Sequence, residues 1–162
     1  MKNKRILFLT QAAMIAALYV VFTLISAALG LSTMQVQVRF SEALTILPYF
    51  TPAAIPGVFI GCLLSNVLAG GALIDIIFGS LATLAAAVGT YLLRRQKWLA
   101  PIPPIAVNTL VIPFVIKAAY GVGPVWLSFI TVCAGEIVSA GVLGMLLLFA
   151  LEKYRRQIFA EV

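Results

Sequence analysis

Eight side chains carry the chemistry this sequence can offer: Arg39, Glu42, Asn66, Asp75, Lys117, Tyr120, Trp126 and Glu136. Each lies within or beside a long apolar run, where a charged group costs at least ~2.5–3.5 kcal/mol near the centre of a bilayer. Carboxylates and amides beside an aromatic wall suit recognition of a flat heterocycle bearing several N–H donors. A carboxylate can accept two parallel hydrogen bonds from an amidine-like edge, and a second carboxylate can hold an ammonium group. Histidine is absent, which removes the commonest general base and the commonest metal ligand. Cys62 and Cys133 stand alone in apolar runs without CxxC spacing and read as small core residues. No metal, cofactor or nucleic-acid partner is expected.

The same residues have a purely structural reading. Arg39 can pair with Glu42 as a loop neighbour, and Lys117 with Asp75 or Glu136 between helices. Tyr120 and Trp126 fit an interfacial aromatic belt as well as a ligand-stacking wall. Asn66 and Asn108 can each join helices, and Asn108 is read that way. Glu136 is too deep in its run to reach water by snorkelling, which favours ligand contact.

The elements that position these groups are set by lipid. The chain is 63% hydrophobic and 10% charged over 162 residues, with a mean hydropathy of +1.13, too few charges to cover a soluble surface. In hydrocarbon each backbone polar group must be paired inside its own helix or a closed barrel. The runs are too long for barrel strands of ~10 residues and lack their alternation, so they are helices. Three basic clusters, Lys2/Lys4/Arg5, Arg94/Arg95/Lys97 and Lys153/Arg155/Arg156, bound these runs. Because cytoplasmic loops collect Lys and Arg, all three should lie inside, with an even number of spans between each and the next.

The expected fold is therefore an all-α integral membrane protein, a single domain over 1–162 with six transmembrane helices and both termini cytoplasmic. The spans are placed at 6–29, 42–50, 53–68, 72–93, 103–120 and 124–151. The second is the shortest. Upstream of it, Met34 to Phe40 alternates apolar with polar like an extended loop, and the Pro48–Pro52 turn should join spans two and three. The first run is too long for a signal core and reads as a retained span.

On this topology Arg39, Glu42, Asn66, Asp75, Lys117, Tyr120 and Trp126 fall toward the outer ends of their spans. Glu136 sits near the middle and Asn108 in the inner half. The polar groups converge on the outward half, as a pocket open to the outside requires. Span one also carries Ala12, Ala13, Ala16 and Ala17, two overlapping small-xxx-small pairs near the inner end. Small residues let helix backbones approach closely, inside the bundle or against a partner. Gly57/Gly61, Ala82/Ala86 and Ala85/Gly89 are read as internal packing.

No G-x-x-x-x-G-K-[ST] phosphate loop occurs, so the chain has no means of hydrolysing ATP alone. It has no Arg ladder, no filter-like glycine repeat and no clear inverted repeat. Val38-Arg-Phe-Ser-Glu-Ala-Leu-Thr-Ile-Leu-Pro-Tyr-Phe-Thr-Pro52, Ala54-Ile-Pro-Gly-Val-Phe-Ile-Gly-Cys-Leu-Leu-Ser-Asn66, Asp75-Ile-Ile-Phe-Gly-Ser-Leu-Ala-Thr83 and Pro101-Ile-Pro-Pro104 with Asn108 resemble the QueT family. These are substrate-binding components of energy-coupling-factor transporters associated with queuosine precursors.

The resemblance implies six helices, an outward pocket, a 7-deazaguanine-type ligand such as 7-aminomethyl-7-deazaguanine, a transmembrane coupling subunit and two ATPases. It also implies docking through an Ala-x-x-x-Ala motif, matched by Ala12/Ala16 and by Ala13/Ala17, with the choice between them open. Three rival readings remain. One is a component for another vitamin or purine-like solute. A second is an ion-coupled carrier with Glu136 as proton site, and a third is an assembly protein without a solute.

Overall fold

In hydrocarbon the backbone has no water to bond to, so long apolar stretches wind into helices and the chain turns where Pro and Gly interrupt them. The computed structural model describes residues 4–31, 38–121 and 123–159, and among these no strand occurs. Lys2 and residues 34–37 of the alternating stretch lie outside the described residues.

Helix α1 is Lys4–Ala28, followed by a 3-10 helix, Phe40–Tyr49. Helix α2 is Ala54–Leu68 and α4 is Ile102–Tyr120. Between and after them come α3, Asp75–Leu92, and α5, Val125–Glu152. A last turn covers Arg155–Ile158. Each of the six expected spans is matched by a helix, α1 to α5 or the 3-10 helix, whose ends lie within three residues of it.

The expectation of six transmembrane α-helices is met in part. Four segments are long and apolar enough to cross a membrane: Lys4–Ala28, Asp75–Leu92, Lys97–Tyr120 and Val125–Glu152. Helix α2 has 15 residues, about 22 Å at ~1.5 Å per residue, against a hydrocarbon core of about 30 Å. The second segment is not an α-helix. Its ten residues wind as a 3-10 helix, which at ~2.0 Å per residue reaches about 20 Å where an α-helix would reach about 15 Å. It is wholly enclosed from Ser41 to Tyr49 and has no lipid-facing side, hence no amphipathic period to read. Pro48 sits inside it and lacks the N–H that a regular helix would need there.

The contacts trace six passes through the bundle. Gly57 lies against Ala12 and Gly61 against Ala16 and Tyr19, so α1 and α2 run parallel. The 3-10 helix returns between them: the Phe40 N–H donates to Ser26 Oγ (2.8 Å) at one end, and Thr51 Oγ1, just past the other, donates to Gln11 Oε1 (2.9 Å). Helix α3 comes back along α2, with Thr83 at Cys62 and Gly89 against Pro103 at the start of α4. Helix α4 reaches Asp75 through Tyr120, and α5 returns past Ala43 at Gly144.

At one end of the bundle Lys97 pairs with Glu152 (3.4 Å), Arg155 lies over the Tyr49 ring and Phe159 stacks on Phe50. Thr51 ties Gln11 to that same end, and Lys4 and Arg5 lie two turns beyond Gln11 on α1. The described residues of all three basic clusters thus share one end.

The surface is apolar and the interior is partly polar. Leu9, Leu68, Leu73, Leu92 and Phe114 are exposed, while Thr23, Ser26, Ser41, Thr45, Ser65, Thr83 and Thr90 are buried. That inversion is what lipid as solvent demands, because each buried hydroxyl can bond a carbonyl of its own or a neighbouring helix.

The tightest packing joins α1 to α2. A Cβ on Gly61 would lie 2.6 Å from Tyr19 Cβ and 3.0 Å from the Ala16 carbonyl oxygen, and one on Gly57 would lie 2.9 Å from the Ala12 carbonyl. Ala12 and Ala16 are accordingly buried, whereas Ala13 and Ala17 are exposed. Of the four alanines read as a docking face, Ala12 and Ala16 are covered inside the bundle by the Gly57/Gly61 pair.

Gly61→Ala is expected to lower stability by about 1–3 kcal/mol, the cost of overpacking a filled contact. Leu64→Ala, exposed on the same helix, should stay within about 0.5 kcal/mol. Thermal unfolding of the two variants in detergent checks this, and equal midpoints would refute the close contact.

Candidate functional site

The enclosed 3-10 helix places Glu42 at its first turn, facing α1, α4 and α5. Tyr19 Oη of α1 donates to Glu42 Oε1 (2.5 Å) and Asn108 Nδ2 of α4 donates to Glu42 Oε2 (3.3 Å). The same Asn108 nitrogen donates to Glu136 Oε1 of α5 at 2.8 Å. One amide therefore bridges two buried carboxylates from different helices.

Beside this bridge, Arg39 Nη1 donates to Asn66 Oδ1 (3.4 Å). The Asn66 amide donates to Cys62 Sγ (3.6 Å), as Thr83 Oγ1 does at 3.3 Å. Arg39, Glu42, Cys62, Gly79, Thr83, Asn108, Ile112, Val132 and Glu136 line a cavity. The cavity is small, about 20 Å³, room for roughly one ordered water.

Two departures from regular helix frame the cavity. Asp75–Gly79 opens α3 as a π turn that ends on the cavity-lining Gly79, and Ile137–Leu143 is a π stretch that begins just after Glu136. Such widened turns shift the helix face and recur at functional sites.

Of the eight residues singled out in the sequence, the structure brings Arg39, Glu42, Asn66 and Glu136 together. Asp75 and Tyr120 form a neighbouring pair: Tyr120 Oη donates to Asp75 Oδ2 (3.0 Å) and accepts from the Ala72 N–H (3.3 Å). Asp75 Oδ1 lies 3.1 Å from where a Gly79 Cβ would stand, so the pair borders the cavity without lining it.

Lys117 and Trp126 are elsewhere. The Lys117 amine turns back onto the carbonyls of Gly121 (3.4 Å) and Gly123 (3.3 Å) and closes the end of α4, where Gly121 takes the left-handed φ of +65°. Neither Asp75 nor Glu136 is its partner. Trp126 is 64% exposed on the first turn of α5, a place for a belt residue and not for a stacking wall in this cavity.

Asn108 and Tyr19 carry more of the site than the sequence reading assigned them. Asn108 does join helices, but through the two carboxylates. Tyr19 was passed over. A signal existed for each: Tyr19 stands 15 residues into α1, too deep for an interfacial ring, and Asn108 is a lone amide in an apolar run.

Chemically the arrangement gathers charged and hydrogen-bonding groups in one cavity. Three charged side chains line it, Arg39 against Glu42 and Glu136, a surplus of one negative charge when both carboxylates are ionised. Glu136 Oε2, Asn108 Oδ1 and Ser139 Oγ are buried without a hydrogen-bond partner among the described residues. Unsatisfied buried acceptors of this kind are costly to leave unmade.

The sequence model of the QueT transporter family matches residues 9–153. Over 98 residues the chain is 35% identical to the queuosine precursor transporter QueT of Lactococcus lactis subsp. cremoris (strain MG1363). That alignment covers 60% of this chain and 57% of the relative, so the chain spans little more than half the length of the curated protein it matches. No solved structure matches. The family is one of transporters and not of enzymes, and with its apolar helices it makes this a multi-pass membrane protein. On a match extending over nearly the whole sequence, the chain belongs to the QueT transporter family.

Proposed function

We propose that the chain is the substrate-capture subunit of an energy-coupling-factor importer in a prokaryotic plasma membrane. It takes a queuosine precursor of the 7-deazaguanine type from outside. Two partner ATPases, acting through a transmembrane coupling subunit, drive its delivery inward. The observation that carries this is where the cavity lies: Arg39, Glu42 and Gly79 of its wall stand toward the end of the bundle away from Lys4, Arg5, Arg94, Lys97, Lys153 and Arg155, with Asn108 and Glu136 deeper in. Basic residues gather on the cytoplasmic side, so the cavity faces outward, both ends of the described chain face the cytoplasm, and the six passes are six crossings.

The substrate class rests on the Lactococcus relative, which is a queuosine precursor transporter. The chemistry of the wall suits it: buried acceptors and a negative surplus favour a heterocycle rich in N–H donors, 7-aminomethyl-7-deazaguanine in particular. Water-sized room cannot hold two fused rings, so loading requires the walls to part. The Arg39–Asn66 contact and the Tyr120–Asp75 pair are polar closures toward the outer end.

On this reading energy comes from partners, in keeping with a sequence that carries no phosphate loop. Ala13 and Ala17, exposed toward the basic end of α1, offer the coupling subunit a close approach. The partnerless Glu136 Oε2 favours a second reading, an ion-coupled carrier working alone with Glu136 as the proton site.

Two outcomes are expected. Calorimetric titration of the purified chain should give tight binding of 7-aminomethyl-7-deazaguanine or its cyano analogue and none of guanine or a vitamin panel; binding of a vitamin instead would replace the substrate. Ala13→Leu should cut uptake about tenfold or more in cells with the ATPases while ligand affinity stays within about twofold, because a bulky side chain there blocks only an external contact. Uptake that survives without partners and fails on collapse of the ion gradient would establish the carrier.

A further inference from the structure

The two carboxylates are not equivalent. Each oxygen of Glu42 already accepts a hydrogen bond, Oε1 from Tyr19 and Oε2 from Asn108. Glu136 is committed at one oxygen only: Oε1 accepts from Asn108, and Oε2 has no partner although the residue is 6% exposed. Asn108, 2% exposed, spends its amide nitrogen on both carboxylates and keeps Oδ1 without a partner. Both residues line the cavity.

Glu42 is tied at both oxygens and Glu136 at one, so the acceptors left wholly free are single atoms on two different groups, Glu136 Oε2 and Asn108 Oδ1. A point cation with several donors, such as a primary ammonium, needs single acceptors from different groups and a local negative charge. Glu136 Oε2 with Asn108 Oδ1 offers those, and Arg39, on the same cavity wall, donates to Asn66.

We infer that Glu136 and Asn108 form the specificity-determining subsite for a primary ammonium on the ligand, with Glu42 held by Tyr19 and Asn108 as the wall that orients them. Glu136 makes the direct contact. Asn108 acts partly through the carboxylates it bridges, as a positioning residue. This assignment rests on the proposed reading of the chain as a binder of 7-deazaguanines.

The test compares 7-aminomethyl-7-deazaguanine, a cation, with its neutral 7-cyano analogue, titrated into the full chain in detergent. The wild type should favour the amine. Glu136→Gln should lower the amine-to-nitrile affinity ratio by about tenfold or more, the effect of losing one charge-assisted hydrogen bond. Glu42→Gln should weaken both ligands together and move the ratio by less than about threefold, since that carboxylate's bonds are internal. Should Glu136→Gln fail to fold, as judged by elution and thermal midpoint, Glu136→Asp keeps the charge, withdraws it by one methylene, and should lower the same ratio by about threefold.

A wild type that prefers the nitrile, or a ratio that moves in Glu42→Gln and not in the Glu136 variants, overturns the assignment and leaves the transport reading standing. A folded wild type that binds neither compound overturns the transport reading, and this one with it.

Discussion

Hydrocarbon outside the bundle leaves polar side chains only two places to go, the ends and the centre. Everything else in the structure is arranged around that restriction. The basic residues take one end. Hydroxyls such as Thr23, Ser80 and Thr83 bond carbonyls of their own helices, Tyr19, Ile76 and Gly79 respectively. Groups that cannot be satisfied so cheaply, two carboxylates, two amides and a guanidinium, are gathered about the enclosed 3-10 helix. Within that cluster Glu136 Oε2 and Asn108 Oδ1 are left without a partner among the described residues.

The 3-10 helix is the unusual element, and its form follows from its neighbours. It is buried along its length and flanked by α1, α3 and α5, with Ala43 facing Gly144. Ten residues must span the distance from Ser26, near the far end of α1, to Gln11, near its start. The longer rise of a 3-10 helix covers more of that distance than an α-helix does, and α1 to either side supplies hydroxyls that anchor its first turn.

Helix α1 connects three parts of the molecule. One face packs on Gly57 and Gly61, close enough that no Cβ fits between. That contact sets the depth of Tyr19, which holds Glu42. The other face leaves Ala13 and Ala17 open. Close packing, the carboxylate wall and the exposed small-residue face therefore share one helix, which reaches the first turn of the 3-10 helix through Tyr19, Thr23 and Ser26.

Local composition decided a great deal. Apolar run length, the positions of Pro and Gly, and the basic clusters placed each of the six spans to within three residues, because in lipid a helix is the only way a lone segment satisfies its backbone. The depth argument also brought Arg39, Glu42, Asn66 and Glu136 to one region. What it could not decide was rotation about each helix axis. Ala12 and Ala13 are adjacent in sequence and face opposite environments, and Lys117 caps its own helix end while Asn108, nine residues earlier, bridges two carboxylates.

An apolar run in lipid is hydrophobic on all sides, so it carries no amphipathic period from which to read those rotations. Only the packing of the helices on one another, set by the Gly57/Gly61 contact and the enclosed 3-10 helix, determines which polar groups meet. Sequence by itself settled that a polar site must lie inside a helical membrane bundle. Tertiary structure decided which oxygen atoms that site leaves open.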